Sequence, residues 1–287
     1  MDSIKSNESK LTYKILFWNI LCDEYSYDWK TAPNIELKYK VWEYRSQLFN
    51  SFFCDKNTFS DIYCFVEVDK QLEIYQMIQY KNNQEKNNLY DVIYFPRPNT
   101  PLGIMCVYNK YKFKLIKYEK YLLGENKNQN FALCAIFQEK LSPNEFFCVL
   151  VTHLTAWDKN ENIRIKQVNN LLYCINNDKN ILKYKINKFI ICGDFNTGPS
   201  SKCIKQMNDN HFHSIFENED ENDKSYTMVI DTLDEGIKKL KFDYIFKSNT
   251  VNIYNKHMAT EYLDFEKGIP NENFPSDHIF LQAEFGF

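Results

Sequence analysis

The sequence has no apolar run long enough to span a bilayer, and residues 1–10 are polar where a signal peptide would carry an apolar core. It also lacks an excess of one charge, because 35 Lys and Arg stand against 38 Asp and Glu, a formal net charge of -3. No broad basic field to recruit a polyanion is therefore expected, and a local groove or a metal would have to hold one. We expect no membrane partner and a cytoplasmic location, with the nucleus as the alternative.

No internal repeat and no Pro-rich or Gly-rich linker divides the 287 residues, 44% of which are hydrophobic. A chain of this length can bury one large core, so we expect a polar tail over residues 1–12 and a single domain over residues 13–287. The nine cysteines are an odd number, and five of them lie in apolar, strand-like runs, where a reduced thiol acts as a small hydrophobe. The cysteines thus favour a reducing compartment.

Short apolar runs alternate with segments of helical period along the whole chain. We predict strands at 14–18, 61–66, 91–95, 103–108, 112–118, 131–138, 146–152, 188–192, 242–246 and 279–285, and helices at 41–53, 70–80, 163–176 and 200–208. So many strands on one chain indicate two packed sheets, with the helices covering their outer faces.

Asp194 and Asn196 come directly after a predicted strand and Gly193, a residue that permits a tight backbone turn. Side chains two residues apart on an extended segment share a face. A carboxylate there can take a proton from water while the amide orients that water or donates to a phosphate oxygen. An Asx-type turn after a strand explains the same pattern equally well.

Other strand ends carry matching groups. Asn19 and Glu67 follow two early strands and offer the oxygen ligands that magnesium prefers, while His153 follows a later one. His278 stands beside Asp277 at the start of the last predicted strand, where an imidazole is suited to donate to phosphate. Each of these residues alone is explained as an ordinary polar residue at a strand end, but the whole set is hard to explain as ordinary strand-end residues.

Six short motifs occur in the order of one known family: Phe17-Trp18-Asn19-Ile20-Leu21-Cys22, Val66-Glu67-Val68, Thr152-His153-Leu154, Gly193-Asp194-Phe195-Asn196, Phe242-Asp243-Tyr244-Ile245 and Ser276-Asp277-His278. From Lys14 to Phe285 the chain resembles the endonuclease/exonuclease/phosphatase superfamily. The first motif and the helix Trp42-Glu43-Tyr44-Arg45 are similar to its deadenylase branch, which includes carbon catabolite repressor-type, nocturnin-like and 2′-phosphodiesterase-like proteins. The resemblance implies one catalytic domain with an α/β fold, a four-layer α/β sandwich of two packed mixed β-sheets flanked by helices.

The resemblance also implies a role for each motif residue. Glu67 would bind the catalytic Mg²⁺, for which Mn²⁺ is the alternative metal, with Asn19 supporting it and Asp277 reaching the water shell of the ion. Asp194 would activate water and Asn196 would stabilise the transition state. The remaining catalytic residues would be His153 and His278 on phosphate oxygens, and Asp243 orienting His278.

The chain departs from the family pattern at two places, one beside Glu67 and one that bears on the substrate. Val66 stands where the superfamily usually has Gln, so we expect weaker preorganisation of Glu67. Thr155 and Trp157 stand where nocturnin-like proteins carry basic residues, which disfavours a dinucleotide diphosphate. Instead we predict that Trp157 and Phe274 stack on a nucleobase and that Arg97 and Arg164 bind a substrate phosphate; solvation on a helix face is an equal explanation for Arg164.

These observations predict a Mg²⁺-dependent phosphodiesterase, a monomer acting on RNA or a nucleotide phosphoester, with a deadenylase-like 3′–5′ exoribonuclease first among the alternatives. The second hypothesis is a nucleotide or NADP(H) 2′-phosphatase, because the same residues cleave a monoester in a closed pocket. The third is a catalytically silent module that binds partners, for example through the acidic segment 217–224. The sequence names no protein partner.

Overall fold

The computed structural model describes residues 11–27, 33–82, 88–124, 130–216, 225–232, 234, 236–261, 265 and 268–287. Most of the predicted polar tail and the acidic segment 217–224 lie outside these ranges. In the described part of the chain, no helix combines the length and the apolar character that crossing a bilayer requires.

Two six-stranded sheets form the body of the protein. The first contains β1 (Tyr13–Asn19), β2 (Ile62–Val66), β3 (Tyr90–Pro96), β4 (Gly103–Asn109), β13 (Asn252–Met258) and β14 (Leu281–Gly286), in the order β13-β14-β1-β2-β4-β3. The second contains β5 (Phe113–Leu122), β6 (Phe131–Glu139), β7 (Phe146–His153), β8 (Phe189–Asp194), β9 (Phe212–Ser214) and β12 (Asp243–Ser248), in the order β5-β6-β7-β8-β12-β9. A separate hairpin pairs β10 (Met228–Thr232) with β11 (Gly236–Leu240).

Both sheets are mixed, as predicted, because each holds one parallel pair among antiparallel neighbours. These pairs are β1 with β2 and β7 with β8. The apolar runs of these strands are buried on both faces, which explains why they are nearly continuous in sequence.

Helices cover the outer face of each sheet and complete four layers. The helices before β9 in the chain are α1 (Asp23–Ser26), α2 (Leu37–Lys40), α3 (Trp42–Cys54), α4 (Gln71–Asn82), α5 (Glu161–Asn177), α6 (Lys179–Lys183) and α7 (Lys202–Asp209). One core lies between the sheets, a second packs α5, α6 and α7 on the second sheet, and a third packs α3 and α4 on the first. The prediction of a four-layer α/β sandwich is confirmed.

Several predicted boundaries differ from the observed ones. β5 continues to Leu122, and β14 begins at Leu281, after an isolated bridge between His278 and Met228. The short helices α1, α2 and α6 and the strands β9, β10, β11 and β13 were not predicted. Strands such as β13 are exposed along most of their length and therefore lack an apolar alternation.

Candidate active site

The carboxyl ends of the two parallel strand pairs meet at one edge of the molecule. Asn19 ends β1 and Glu67 follows β2, while His153 and Asp194 end β7 and β8 as direct partners in register. A parallel pair places the ends of both strands at the same edge of its sheet. The sandwich therefore brings together four polar residues that are far apart in sequence.

Glu67 is held by hydrogen bonds to both of its carboxylate oxygens. The amide nitrogen of Asn19 donates to Oε1 at 2.9 Å, and the backbone N–H of Cys22 donates to Oε2 at 3.2 Å. The backbone of Glu67 is left-handed, with φ of 58°, a conformation that persists in a residue other than Gly only when its surroundings fix it.

The residue after Glu67 supplies that fixation. The Val68 N–H donates to the Gly103 carbonyl at 3.0 Å, and the Tyr94 hydroxyl donates to the Val68 carbonyl at 3.1 Å. A Cβ at Gly103 would collide with the Tyr94 ring, so a larger residue there would displace the ring. These contacts hold Glu67 although Val66 replaces the polar neighbour that the family pattern would supply.

Asn19 links the two sheets through its side chain. Its amide nitrogen donates to Glu67 and also to Asp194 Oδ2 at 3.1 Å, while its amide oxygen accepts from the Leu21 N–H at 3.1 Å. The amide thus presents a donor, not an oxygen ligand, to the carboxylates. In this geometry Asn19 supports Glu67 by a hydrogen bond.

Asp194 and Asn196 form the Asx turn that the sequence left open as an alternative. The Asn196 N–H donates to Asp194 Oδ1 at 2.8 Å, and the Asn196 amide nitrogen donates to the Leu154 carbonyl at 3.1 Å. Gly193 lies within β8, not in the turn, and a Cβ there would come within 2.7 Å of the Thr152 carbonyl oxygen. The glycine is needed for close strand packing, and the turn leaves Asp194 Oδ2 facing the site.

His278 and Asp243 form a buried pair. The Nδ1 atom of His278 lies 2.8 Å from Asp243 Oδ2, and its Nε2 atom points toward the site, 3.8 Å from Asp194 Oδ2. Asp243 begins β12 directly opposite Asp194 in register, and Thr227 Oγ1 accepts from its N–H at 2.9 Å. The carboxylate therefore holds the imidazole through Nδ1, and the catalytic role of Asp243 stays a prediction.

The carboxyl groups of the site are crowded and buried. Burial, together with the negative charge of Asp243, raises the pKa of Asp194 to about 8. Burial and the charge of Asp277 raise the pKa of Glu67, and burial also raises the pKa of Asp277. Burial thus disfavours the charged form of each carboxyl group, and a bound cation would stabilise that form in place of a proton.

The two imidazoles have opposite protonation preferences. Burial, with the nearby cations Arg97 and His278, lowers the pKa of His153 well below its usual value. Burial alone would also lower the pKa of His278, but the carboxylates of Asp243 and Asp277 outweigh it and raise that pKa well above the usual value. The surroundings thus favour the neutral form of His153 and the protonated form of His278.

The donor atoms of the site fit a divalent cation. One ligand atom each from Glu67, His153 and Asp194 lie within 4.8 Å of one another, and Asp194, Asp243 and His278 form a second group of this kind. In the second group, His278 and Asp243 are already joined by a hydrogen bond, so the first group is the better metal site. Its two carboxylates supply the oxygen ligands that Mg²⁺ prefers.

Asp277 lies outside both groups of ligand atoms but close to the site. Its Oδ1 atom is buried and has no hydrogen-bond partner among the residues that the structure describes. A buried carboxylate oxygen without a donor is consistent with the predicted place of Asp277 in the water shell of a metal.

Arg45 on α3 is a supporting residue to which the sequence interpretation gave no role. Its fully buried guanidinium donates to the carbonyls of Ile20 and Pro275, at 2.6 Å each, and to that of Leu21. One side chain thus ties the loop after Asn19 to the loop before Asp277 and His278. The sequence signal was the place of Arg45 in the helix motif Trp42-Glu43-Tyr44-Arg45.

Two predicted substrate-binding residues lie within the protein. Phe274 is 0% exposed and packs against the rings of Trp18, Phe52 and Phe265, so the prediction that it stacks on a base is wrong. Arg164 is also buried, and its guanidinium donates to backbone carbonyls of the loop after β7. That loop, not a substrate phosphate, is the partner of Arg164 in this structure.

The other two predicted residues lie at the rim of the site. Arg97 donates to the His153 carbonyl at 3.1 Å. Burial lowers the pKa of the Arg97 guanidinium, and the carboxylate of Glu67 opposes this shift. Trp157 is 64% exposed on the loop that follows His153. The rim thus combines a guanidinium and an exposed aromatic ring.

No family model matches the chain. Nocturnin from Xenopus laevis is 26% identical over 99% of the chain and 75% of its own length, and a probable CCR4-Not complex 3′-5′-exoribonuclease subunit Ccr4 from Enterocytozoon bieneusi is 26% identical over 99% of the chain and 66% of its length. The structure of ANGEL2, described as a 2′,3′-cyclic phosphatase, superposes with a TM-score of 0.79 and 18% identity over 96% of each chain. The chain is a homologue of the nocturnin and Ccr4 proteins and has the fold of the endonuclease/exonuclease/phosphatase family.

Proposed function

We propose that the protein is a Mg²⁺-dependent phosphodiesterase that removes nucleotides from the 3′ end of RNA. The observation that carries this proposal is the convergence of Glu67, His153 and Asp194, with the His278–Asp243 pair beside them. Support for RNA comes from the Ccr4 relative, which is named as a 3′-5′ exoribonuclease subunit. The chain spans only part of that relative, so the activity is assigned to the region shared by both.

Glu67 would hold the metal, with Asp194 and His153 beside it and Asp277 in its water shell. When bound, Mg²⁺ neutralises the negative charge that develops on the phosphate oxygens and on the leaving group. The raised pKa values of these carboxyl groups mean that the metal competes with protons for the site.

Asp194 is placed to take the proton from the attacking water, because its Oδ2 faces the centre while its Oδ1 is occupied by the Asn196 N–H. The Asn196 amide has a second N–H that is available to a phosphate oxygen. Protonated His278 can donate from Nε2 to a phosphate oxygen, since Asp243 holds Nδ1. Charge-assisted donors of this kind are well suited to a phosphoryl transition state.

A nucleotide phosphatase is the second candidate, favoured by the structural similarity to ANGEL2 and by the half-buried Arg97. The rim argues against an NADP(H) 2′-phosphatase, because Thr155 and Trp157 occupy positions that are basic in the nocturnin-like pattern. The Thr155 hydroxyl is also engaged, since the Gln167 amide donates to it at 2.8 Å. A silent binding module would not need to keep a buried, charge-crowded centre. We also propose a cytoplasmic or nuclear location, because all nine cysteines have free thiols, which suits a reducing compartment.

The test is an assay of 5′-labelled RNA with an oligo(A) 3′ end, run with Mg²⁺ or EDTA beside phosphate release from NADP⁺ and from a nucleoside 2′,3′-cyclic phosphate. We expect a ladder that shortens from the 3′ end, requires Mg²⁺ and disappears in Asp194→Asn. Phosphate release from NADP⁺ without a ladder would establish the phosphatase instead. Inactivity on all three substrates, with Mn²⁺ as well as Mg²⁺, would contradict both.

A further inference from the structure

Trp157 has a backbone conformation that an aromatic residue seldom adopts. Its φ is 75°, in the left-handed region that favours glycine and asparagine. Its side chain is nevertheless 64% exposed, so burial of the indole does not explain the conformation. Strain of this kind persists only where the surroundings enforce it, and it is concentrated at sites that bind ligands.

The surroundings of Trp157 do enforce it. The buried Arg164 guanidinium donates to the Trp157 carbonyl at 2.7 Å and to the Thr155 carbonyl at 3.0 Å. The Asn160 N–H also donates to the Trp157 carbonyl at 3.0 Å, and the Asn160 amide nitrogen donates to Ala156. Arg164 and Asn160 thus fix the backbone of Trp157 by hydrogen bonds, while its indole remains exposed at the surface.

The same loop is anchored to the reaction centre at its other end. The Leu154 N–H donates to the Asp194 carbonyl at 2.9 Å, and the Leu154 carbonyl accepts from the Asn196 side chain. Trp157 is the third residue after Leu154, so their backbones are at most about 10 Å apart. An indole so close to a phosphate site lies within reach of the nucleotide bonded to that phosphate.

We propose that Trp157 is a fixed stacking platform for the nucleobase next to the scissile phosphate. This inference rests on the proposed function and specifies its substrate as single-stranded RNA with an intact base at that position. An aromatic face binds any base without reading its edge, and a platform that is already rigid loses little entropy on binding. The exposed indole and the strained backbone then have one explanation.

The test uses three variants at one position and one control elsewhere. Trp157→Asn removes the ring and relieves the backbone, since asparagine tolerates the left-handed region. Trp157→Phe keeps both the ring and the strain. Tyr173→Ala removes an exposed ring of similar size, 68% exposed on α5, and serves as the matched control. Trp157→Ala removes the ring without relieving the strain.

The substrates are two RNAs that differ only in an abasic site at the nucleotide next to the scissile phosphate. For the wild-type protein we expect the abasic RNA to have a KM about tenfold higher than the intact RNA. Trp157→Asn and Trp157→Ala should raise the KM for intact RNA by about the same factor and abolish the difference between the RNAs. Trp157→Phe, which keeps a smaller ring, should retain part of the difference between the two RNAs, and Tyr173→Ala should behave like the wild type.

Stability separates this role from a structural one. Trp157→Asn should raise Tm while it weakens binding, because the backbone strain is removed together with the ring. If Trp157 only packed the loop, the variant would lower Tm and leave the ratio between the two RNAs unchanged, which would overturn the proposal. If the wild type cleaved intact and abasic RNA equally well, Trp157 would not be a platform although the proposed function would stand. If neither RNA bound to Asp194→Asn nor was cleaved by the wild type, both would fail.

Discussion

The reaction centre and its rim are supported by different parts of the fold. Asp194 and His278 are buried and Glu67 is partly buried, beside the ends of strands or next to the core, and each carboxylate or imidazole has a fixed hydrogen-bond partner. Arg97 and Trp157 lie on loops, and Trp157 is mostly exposed. The centre can therefore keep its geometry without substrate, while the rim is where a change of residue alters the substrate without disturbing the chemistry.

The two regions meet in the loop from His153 to Trp157. His153 lies in the centre and Trp157 at the rim. The buried Arg164 holds the loop by donating to the carbonyls of Thr155 and Trp157. Substitutions in the centre should reduce kcat or metal binding, whereas substitutions at the rim should raise KM. The following predictions test this division.

Asp194→Asn should have the largest effect. Loss of the group that accepts the proton of water should lower kcat by about 10²- to 10⁴-fold. Because the pKa of Asp194 is raised in the protein, its charge does not stabilise the fold, and Tm should not fall by more than a few degrees. Single-turnover cleavage and thermal unfolding measure the two quantities. A variant that unfolds, or one that retains the wild-type rate, would contradict the assignment.

Arg45→Met should have the next largest effect, because Arg45 joins the two loops that carry Asn19 and His278. We expect Mg²⁺ affinity or kcat to fall by about 10- to 100-fold, the range seen for residues that support metal ligands. Calorimetric titration with Mg²⁺ and steady-state kinetics measure these effects.

The control for Arg45→Met is Phe53→Leu, a change at a buried position on the same helix, where the Phe53 ring packs against Tyr63 and Phe65. Phe53→Leu should lower Tm but leave Mg²⁺ affinity unchanged. Equal loss of Mg²⁺ affinity in both variants would mean that Arg45 acts only through the stability of the fold.

Arg97→Gln should have a smaller effect, confined to KM. Loss of the guanidinium should raise KM for RNA by about tenfold, in the range for one charge-assisted hydrogen bond, with little change in kcat. Steady-state kinetics at two salt concentrations separates the outcomes. A fall in kcat with an unchanged KM would show that Arg97 acts in the reaction centre and not at the rim.

The smallest effect concerns pH. The pKa of Asp194 is raised from 3.8 to about 8, so the native state binds this proton more tightly than the unfolded chain does. For this group, stability of the metal-free protein is highest below pH 3.8 and falls as pH rises toward 8. Mg²⁺ should therefore bind more tightly, and raise Tm more, at higher pH.

Calorimetry at about pH 7 in buffers of different ionisation enthalpy should show that protons are released on Mg²⁺ binding. Asp194→Asn should release fewer. Proton release that is the same in this variant would show that another group, such as Glu67, carries the linkage.

The division between centre and rim also explains what the sequence could predict. Glu67, His153 and Asp194 follow apolar runs that are recognisable as buried strands, so the motif order placed them at one site. Phe274 and Arg164 are different, because a residue in a loop or on a helix face can turn toward a site or into the core. Their burial depends on contacts between distant segments, which local pattern does not reveal.

Supporting contacts were hidden for the same reason. Val66 suggested a loosely held Glu67, but the fixation comes from Tyr94 and Gly103 on neighbouring strands of the sheet. Gly193 suggested a turn, yet it allows the close approach of β7 and β8. In both cases the residue type was informative, and its physical reason became visible only with the strand order.

The central claim is that a Mg²⁺-dependent phosphodiesterase centre forms where the two sheets meet. The most direct test is the single-turnover rate of cleavage of the 3′-terminal phosphodiester of a 5′-labelled RNA, measured across Mg²⁺ concentrations for the wild type and Glu67→Gln. We predict a rate that saturates with Mg²⁺ in the wild type and requires about 10- to 100-fold more Mg²⁺ in the variant. The same Mg²⁺ dependence in both proteins, or cleavage that persists in EDTA, would contradict the account.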